Sequence, residues 1–128
     1  MALLLAGVSA GEAAPIKAKY CVAVAATEAP QETQLKDAVA KFASSHALKK
    51  LSHQAANTDA YRSADETVEV AVTTKVEGMG AVLFMFDVNN PIGPTRGALA
   101  AHVKKNVTPI AKVTPCGEIK GFKTPTIG

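Results

Sequence analysis

Two cysteines and three histidines are the chain's only thiol and imidazole side chains, and their spacing limits what they can do. Cys21 and Cys116 stand far apart, with no Cys-x-x-Cys between them, so the pair does not read as a redox dithiol. His46, His53 and His102 have no ligand spacing relative to either cysteine, so no metal site is expected. The one Gly-x-Ser-x-Gly run, residues 7–11, falls inside the apolar first fourteen residues; the His-Glu-x-x-His and Gly-x-x-x-x-Gly-Lys-Ser/Thr patterns do not occur, and the 11 carboxylates form no evident acid/base pair. The sequence therefore names no catalytic residue and calls for no cofactor.

The polar residues that remain have two readings each. His46 lies on an apolar helical stripe, where a packed imidazole near a helix end competes with a ligand role. Asp87 closes an apolar strand, either as a turn-former or as a residue in a cleft over a sheet. Residues 90–97 lead into a helix, where Thr95 reads as a cap. Free amides there, together with Arg96, also suit a small anion.

These residues must be positioned by elements that hydrophobic periodicity makes visible. Residues 20–26 (YCVAVAA) alternate bulky and small, as a strand does. Residues 31–50 carry Leu35, Val39, Phe42 and His46 on one helical face, with Thr27, Glu28 and Pro30 as start signals and Lys49 and Lys50 at the expected end. Residues 51–65 are polar and without period, a loop with a short irregular strand around Tyr61. Residues 67–75 alternate cleanly as a strand, and two glycines within 76–80 mark a hairpin. Residues 81–88 (AVLFMFDV) are apolar on both faces, as in a central strand. Residues 95–107 form a second helix through Leu99, Val103 and Val107, and 110–114 a short last strand.

The order is β-α-β-β-α-β. It specifies an α+β fold of the split β-α-β, ferredoxin-like kind: a four-stranded antiparallel sheet with two helices on one face. In that topology the first and last strands are antiparallel neighbours. Cys21 and Cys116 then meet at one edge, within disulfide reach. Helices over Val68, Val70, Val72, Phe84 and Phe86 would leave Ala23, Ala25, Ala71, Leu83 and Met85 on the open face. So apolar a patch needs cover, from a second copy, a partner, a ligand, or the chain's own residues 51–65.

Composition places the chain. Its 128 residues suffice for one domain over 15–128. Residues 1–14 (MALLLAGVSAGEAA) resemble the apolar core and small-residue exit of an export signal, and are too short to span a bilayer. Export suits a disulfide and points to a periplasmic or secreted protein. Net charge is +3. From residue 96 onward Arg96, Lys104, Lys105, Lys112, Lys120 and Lys123 face one acid, Glu118. These bases suit an acidic partner, but without interleaved aromatics they do not read as a nucleic-acid surface.

Three functions are consistent with this reading. The first is a non-enzymatic exported binding module that uses the open face for a homodimer or a partner. The second is a small-molecule binder or minor enzyme whose cavity is lined by Tyr61, Arg62, Met85 and Asp87. The third is an inhibitor or immunity-type protein with an acidic partner. The expected contact surface is Ala23, Ala25, Ala71, Leu83 and Met85; Thr95 and Arg96 are the expected anion contacts.

Overall fold

A computed structural model describes residues 16–90 and 93–127; the export signal expected over 1–14 lies outside them. The elements in chain order are β1 (Ile16–Lys17), β2 (Tyr20–Val24), α1 (Ala29–Ser45), β3 (Lys49–Lys50), β4 (Thr58–Arg62), β5 (Val68–Val76), β6 (Gly80–Asp87), α2 (Arg96–Asn106), β7 (Val113–Pro115), a 3-10 turn (Cys116–Glu118) and β8 (Thr126–Ile127). Six strands form one open antiparallel sheet in the order β3-β4-β5-β6-β2-β7, while β1 and β8 pair as a separate ribbon. The expected α+β class holds. The sheet has six strands rather than four, because the aperiodic stretch after α1 supplies β3 and β4 at the β5 edge.

Helix α1 starts one residue later than its start signals suggest. The Glu28 N–H donates to Gln31 Oε1 at 3.4 Å, and Pro30 sits in the first turn where it forfeits no bond. It also ends earlier than expected. Ala47 adopts a left-handed φ of 57°, and the Leu48 N–H closes on the Ala43 carbonyl. Lys49 and Lys50, expected in the last helical turn, instead form edge strand β3. Two lysines there discourage pairing with another chain's edge, and Pro115 does the same at the β7 edge.

Helix α2 is capped by Thr95, whose Oγ1 accepts the Ala98 N–H at 3.2 Å. Lys104 and Lys105 lie at its negative end. Histidine ties the helices together. His102 Nε2–H donates to the Ala38 carbonyl at 2.8 Å, and its Nδ1 accepts from Asn106 at 3.2 Å. The His46 Nδ1–H donates to the Phe42 carbonyl at 2.9 Å, with its ring 4.2 Å from the Phe42 ring. His46 and His102 thus cap and brace helices.

The core lies between the helices and one sheet face. Leu35, Val39 and Phe42 of α1 and Leu99 and Val103 of α2 pack with Val22, Val24, Tyr61, Val70, Val72, Leu83 and Met85. One buried carboxylate borders it: Glu32 accepts from Lys75 Nζ at 3.1 Å. At the β5–β6 hairpin, Gly80 (φ 94°) passes so close to β2 that a Cβ would stand 2.9 Å from Ala26 N and Val24 O. Only glycine fits that approach.

Candidate functional site: the sheet face without helices

Strand register decides which side chains share a face. Val70 pairs with Met85 and Val72 with Leu83, while Ala71 pairs with Phe84 and Thr73 with Val82. On the next strand Cys21 pairs with Phe84 and Ala23 with Val82. Directly opposed residues point the same way. Leu83 and Met85 therefore join the valines under the helices, 1% and 0% exposed. This corrects their expected place on the open face. Both faces of β6 are apolar, so alternation alone could not fix its phase; pairing with β5 does. Phe84 and Phe86, expected under the helices, lie on the helix-free side.

That side runs in rows. Arg62, Glu69 and Phe86 form one; Ala60, Ala71, Phe84 and Cys21 the next; Thr58, Thr73, Val82, Ala23 and Thr114 the third. Ala23 and Ala71 are on this face as expected, and exposed Ala25 shares a cavity with Ala23. Arg62 Nε and Nη2 donate to Glu69 Oε1 at 3.0 and 2.8 Å, a cross-strand pair at the rim. The Phe84 and Phe86 rings meet edge to face at 5.6 Å.

The cavity expected beneath residues 51–65 does not form. That stretch extends the sheet sideways as β4 rather than lying over it. Tyr61 and Arg62 point to opposite faces, Tyr61 into the helix-side core. Burial, and then the carboxylates of Asp59 and Asp37, push the Tyr61 hydroxyl above its ordinary 10.0. Asp87 pairs with Val68, and so lies on the helix side, where it accepts the Asn90 N–H at 3.3 Å. It forms the turn after β6. Tyr61, Arg62, Met85 and Asp87 thus line no common space. Thr95 spends its hydroxyl on capping, and exposed Arg96 makes no ion pair among the described residues.

Much of this face is nonetheless shielded from solvent. Phe86 is only 4% exposed, and Val82, Ala23 and Cys116 are buried too, although no helix lies there. The Cys21–Cys116 disulfide forms as the topology suggests, with Cα atoms 5.4 Å apart, and the 3-10 turn after β7 lies against β2. Ile119 then borders Ala23 and Thr114. Further on, β8 pairs with β1, whose Ile16 borders Phe86 and Arg62. Sparse apolar residues in 116–127 gave no periodic signal for this.

Two half-open cavities lie on this side. One, about 230 Å³, is lined by Ala23, Ala25, Gly78, Met79, Lys112, Thr114 and Ile119. The other, about 180 Å³, is floored by Phe86 and rimmed by Ile16, Val88, Thr67, Glu66 and the Arg62–Glu69 pair. Ile16 (37%) and Val88 (42%) are the large hydrophobic side chains exposed among the described residues, and both line this second cavity.

A third depression, between His46, Ser63, Asp65, Asn90 and Pro94, brings a serine, a carboxylate and an imidazole to one place. Ser63 Oγ is committed elsewhere. It donates to Asp65 Oδ1 at 2.7 Å and accepts the Thr67 and Val68 amides at 3.1 Å. The Ser63 and Thr67 hydroxyls and the Thr67 amide hold Asp65 below its ordinary 3.8. This cluster shapes the β4–β5 turn. Among the described residues, no three His, Cys, Asp or Glu side chains are placed to share a metal ion, and no helix is long and apolar enough to cross a membrane.

Compared with known proteins, the chain matches no family model, no curated protein and no solved structure.

Proposed function

We propose that this chain is a small exported binding protein, without catalytic activity, whose contact surface is the helix-free sheet face. The observation that carries the reading is the convergence of Ile16 and Val88, exposed and distant in sequence, over the Phe86 floor of one cavity. An apolar centre ringed by charged and polar side chains is the usual anatomy of a contact patch. The contact set expected from sequence is revised accordingly. Ala23 and Ala25 stay, and Ala71 lies on this face but is 1% exposed; Phe84, Val88, Ile16, Met79 and Ile119 take the place of Leu83 and Met85.

Support for export comes from the disulfide, which persists in oxidising compartments such as the periplasm or the extracellular medium, and from the apolar leader. The order β5-β6-β2-β7, interleaved in sequence with α1 and α2, supports a split β-α-β core extended by β3 and β4. The occupant of the face is a second copy or a protein partner. Lys-rich edges and Pro115 discourage strand-to-strand association, which favours a face contact. Sedimentation velocity from 10 µM to 1 mM (on the order of a weak dimer's range) tests the homodimer directly. Wild type should dimerise with concentration and Val88→Asp should not. A dimer indifferent to Val88→Asp removes this face from the contact.

A further inference from the structure

Charge is not spread evenly over this molecule. Residues 16–24 and 112–127, which contain β1, β2, β7 and β8, hold five lysines (Lys17, Lys19, Lys112, Lys120 and Lys123) and one acid, Glu118. That is a net +4, where the whole chain carries +3. The two stretches are far apart in sequence, and the fold brings them together. β7 pairs with β2 and β8 with β1, the Ala18 N–H donates to the Pro125 carbonyl at 2.9 Å, and Cys21 is bonded to Cys116. Ile119 borders a cavity with Ala23 and Ala25 at the far end of β2, while Pro125 meets Ala18 ahead of its start. The lysines therefore form a band that follows the length of β2.

All five lysines are exposed. None makes an ion pair among the described residues, where the paired cations are Lys50, Arg62 and Lys75. Ile16 borders Phe86, so Lys17, the next residue of the strand, turns away from the sheet. Clustered like charges repel one another, and the single exposed carboxylate of Glu118 does not offset them.

We propose that this band is a docking surface for an anionic lipid bilayer, met at its headgroups. Two features choose the occupant. Every cation in the band is a lysine. With no arginine fork among them, flexible ammoniums respond to a density of charge rather than to the geometry of one carboxylate. Tyr20 and Phe122, the aromatics of these stretches, are both part-buried, so no platform for stacking nucleobases is presented. A leaflet of anionic headgroups is such a density, and clusters of about four to eight lysines are what it attracts. Exposed Thr124 and Thr126 add hydroxyls that can donate to headgroup phosphates. This surface does not rest on the protein contact assigned to Val88 and Phe86.

Flotation of the full chain with phosphatidylcholine vesicles, with or without added phosphatidylglycerol, tests the band. At about 50 mM salt the protein should float with the anionic vesicles and not with the neutral ones, and about 500 mM salt should release it. Lys17→Gln/Lys19→Gln and Lys120→Gln/Lys123→Gln should each lower the partition coefficient about 20–30-fold, at about 1 kcal/mol per lysine. Lys104→Gln/Lys105→Gln makes the same charge change on α2 and should lower it less than about threefold, because screening confines each charge to its own surroundings. Circular dichroism should match wild type throughout, since none of the replaced ammoniums holds a bond; if one band pair loses that spectrum, the other pair carries the comparison. Absence of flotation at low salt, or equal flotation with neutral vesicles, overturns the proposal. Equal losses from the α2 pair and the band pairs overturn it too, because net charge alone then explains the binding. Capture by dextran sulfate or polyglutamate without flotation assigns the band to a soluble polyanion and overturns the lipid.

Discussion

Replacing Leu83 and Phe84 in turn with glutamate separates the two faces of β6. At Leu83, 1% exposed, the change removes roughly 1.5–3 kcal/mol of apolar burial. It also buries a carboxylate with no partner. Keeping that group neutral requires its pKa to rise by about 3–5 units, or about 4–7 kcal/mol at neutral pH. The sum, about 6–10 kcal/mol, matches the whole stability of a domain this size, about 5–15 kcal/mol. At Phe84, on the opposite face and partly exposed, a carboxylate reaches water, and the cost is about 1–2 kcal/mol. Urea unfolding followed by far-ultraviolet circular dichroism, with the disulfide intact, reads both. Phe84→Glu should remain folded with a lower midpoint, and Leu83→Glu should be unfolded in buffer. Leu83→Ala, which should cost about 3–4 kcal/mol, provides a folded companion. The carboxyl of any residually folded Leu83→Glu has a raised pKa, so that variant should gain stability as pH falls through the raised value. If Phe84→Glu unfolds and Leu83→Glu folds, the register is one residue out and the proposed surface is the wrong face.

Other perturbations follow from single contacts. Thr95→Ala removes the α2 cap and should lower stability by about 1 kcal/mol in the same assay. Lys75→Met strands the buried Glu32 carboxylate and should cost about 1–2 kcal/mol, discounted because the lysine end is exposed; adding Glu32→Gln should recover most of it. Replacing both cysteines with serine opens a loop spanning 95 positions and should lower global stability by up to about 4–5 kcal/mol in the chain-entropy model. Asp65 is held low by its hydrogen bonds, so the order it gives the β4–β5 turn is present above the ordinary 3.8 and lost as pH falls through the lowered value. An NMR titration of its carboxyl should show a midpoint below 3.8. The hydroxyls of Tyr20 and Tyr61 are raised by burial. Their contribution is therefore complete below 10.0 and lost as pH rises through the raised values, visible as tyrosinate absorbance that lags a free tyrosine standard.

Most of the sheet and both helices were legible because each carries one period. Leu35, Val39 and Phe42 mark α1, and Val68, Val70 and Val72 mark β5. The phase of β6 was not, because a strand apolar on both faces reads the same from either side. The end of α1 was missed because residues 46–50 keep helix-friendly lysines, while the signal that stops the helix is a left-handed alanine, a conformation that sequence rarely announces. The disulfide was legible from topology, since the first and last strands of the expected order are neighbours. The β1–β8 ribbon was not, because two residues per strand leave no alternation to mark them. Of the candidate site, the alanines of β2 and β5 were placed correctly, whereas Ile16, Met79, Val88 and Ile119 carry no local pattern that assigns them to a face.

The most direct test of the central claim is a photo-crosslinking residue placed in turn at positions 88, 79 and 104 of the protein expressed in its own exporting cell. Position 104, on α2, lies away from the helix-free face. The account predicts discrete adducts, with a second copy or one partner, from positions 88 and 79 and none from 104. Adducts from 104 alone, or from none of the three, contradict it.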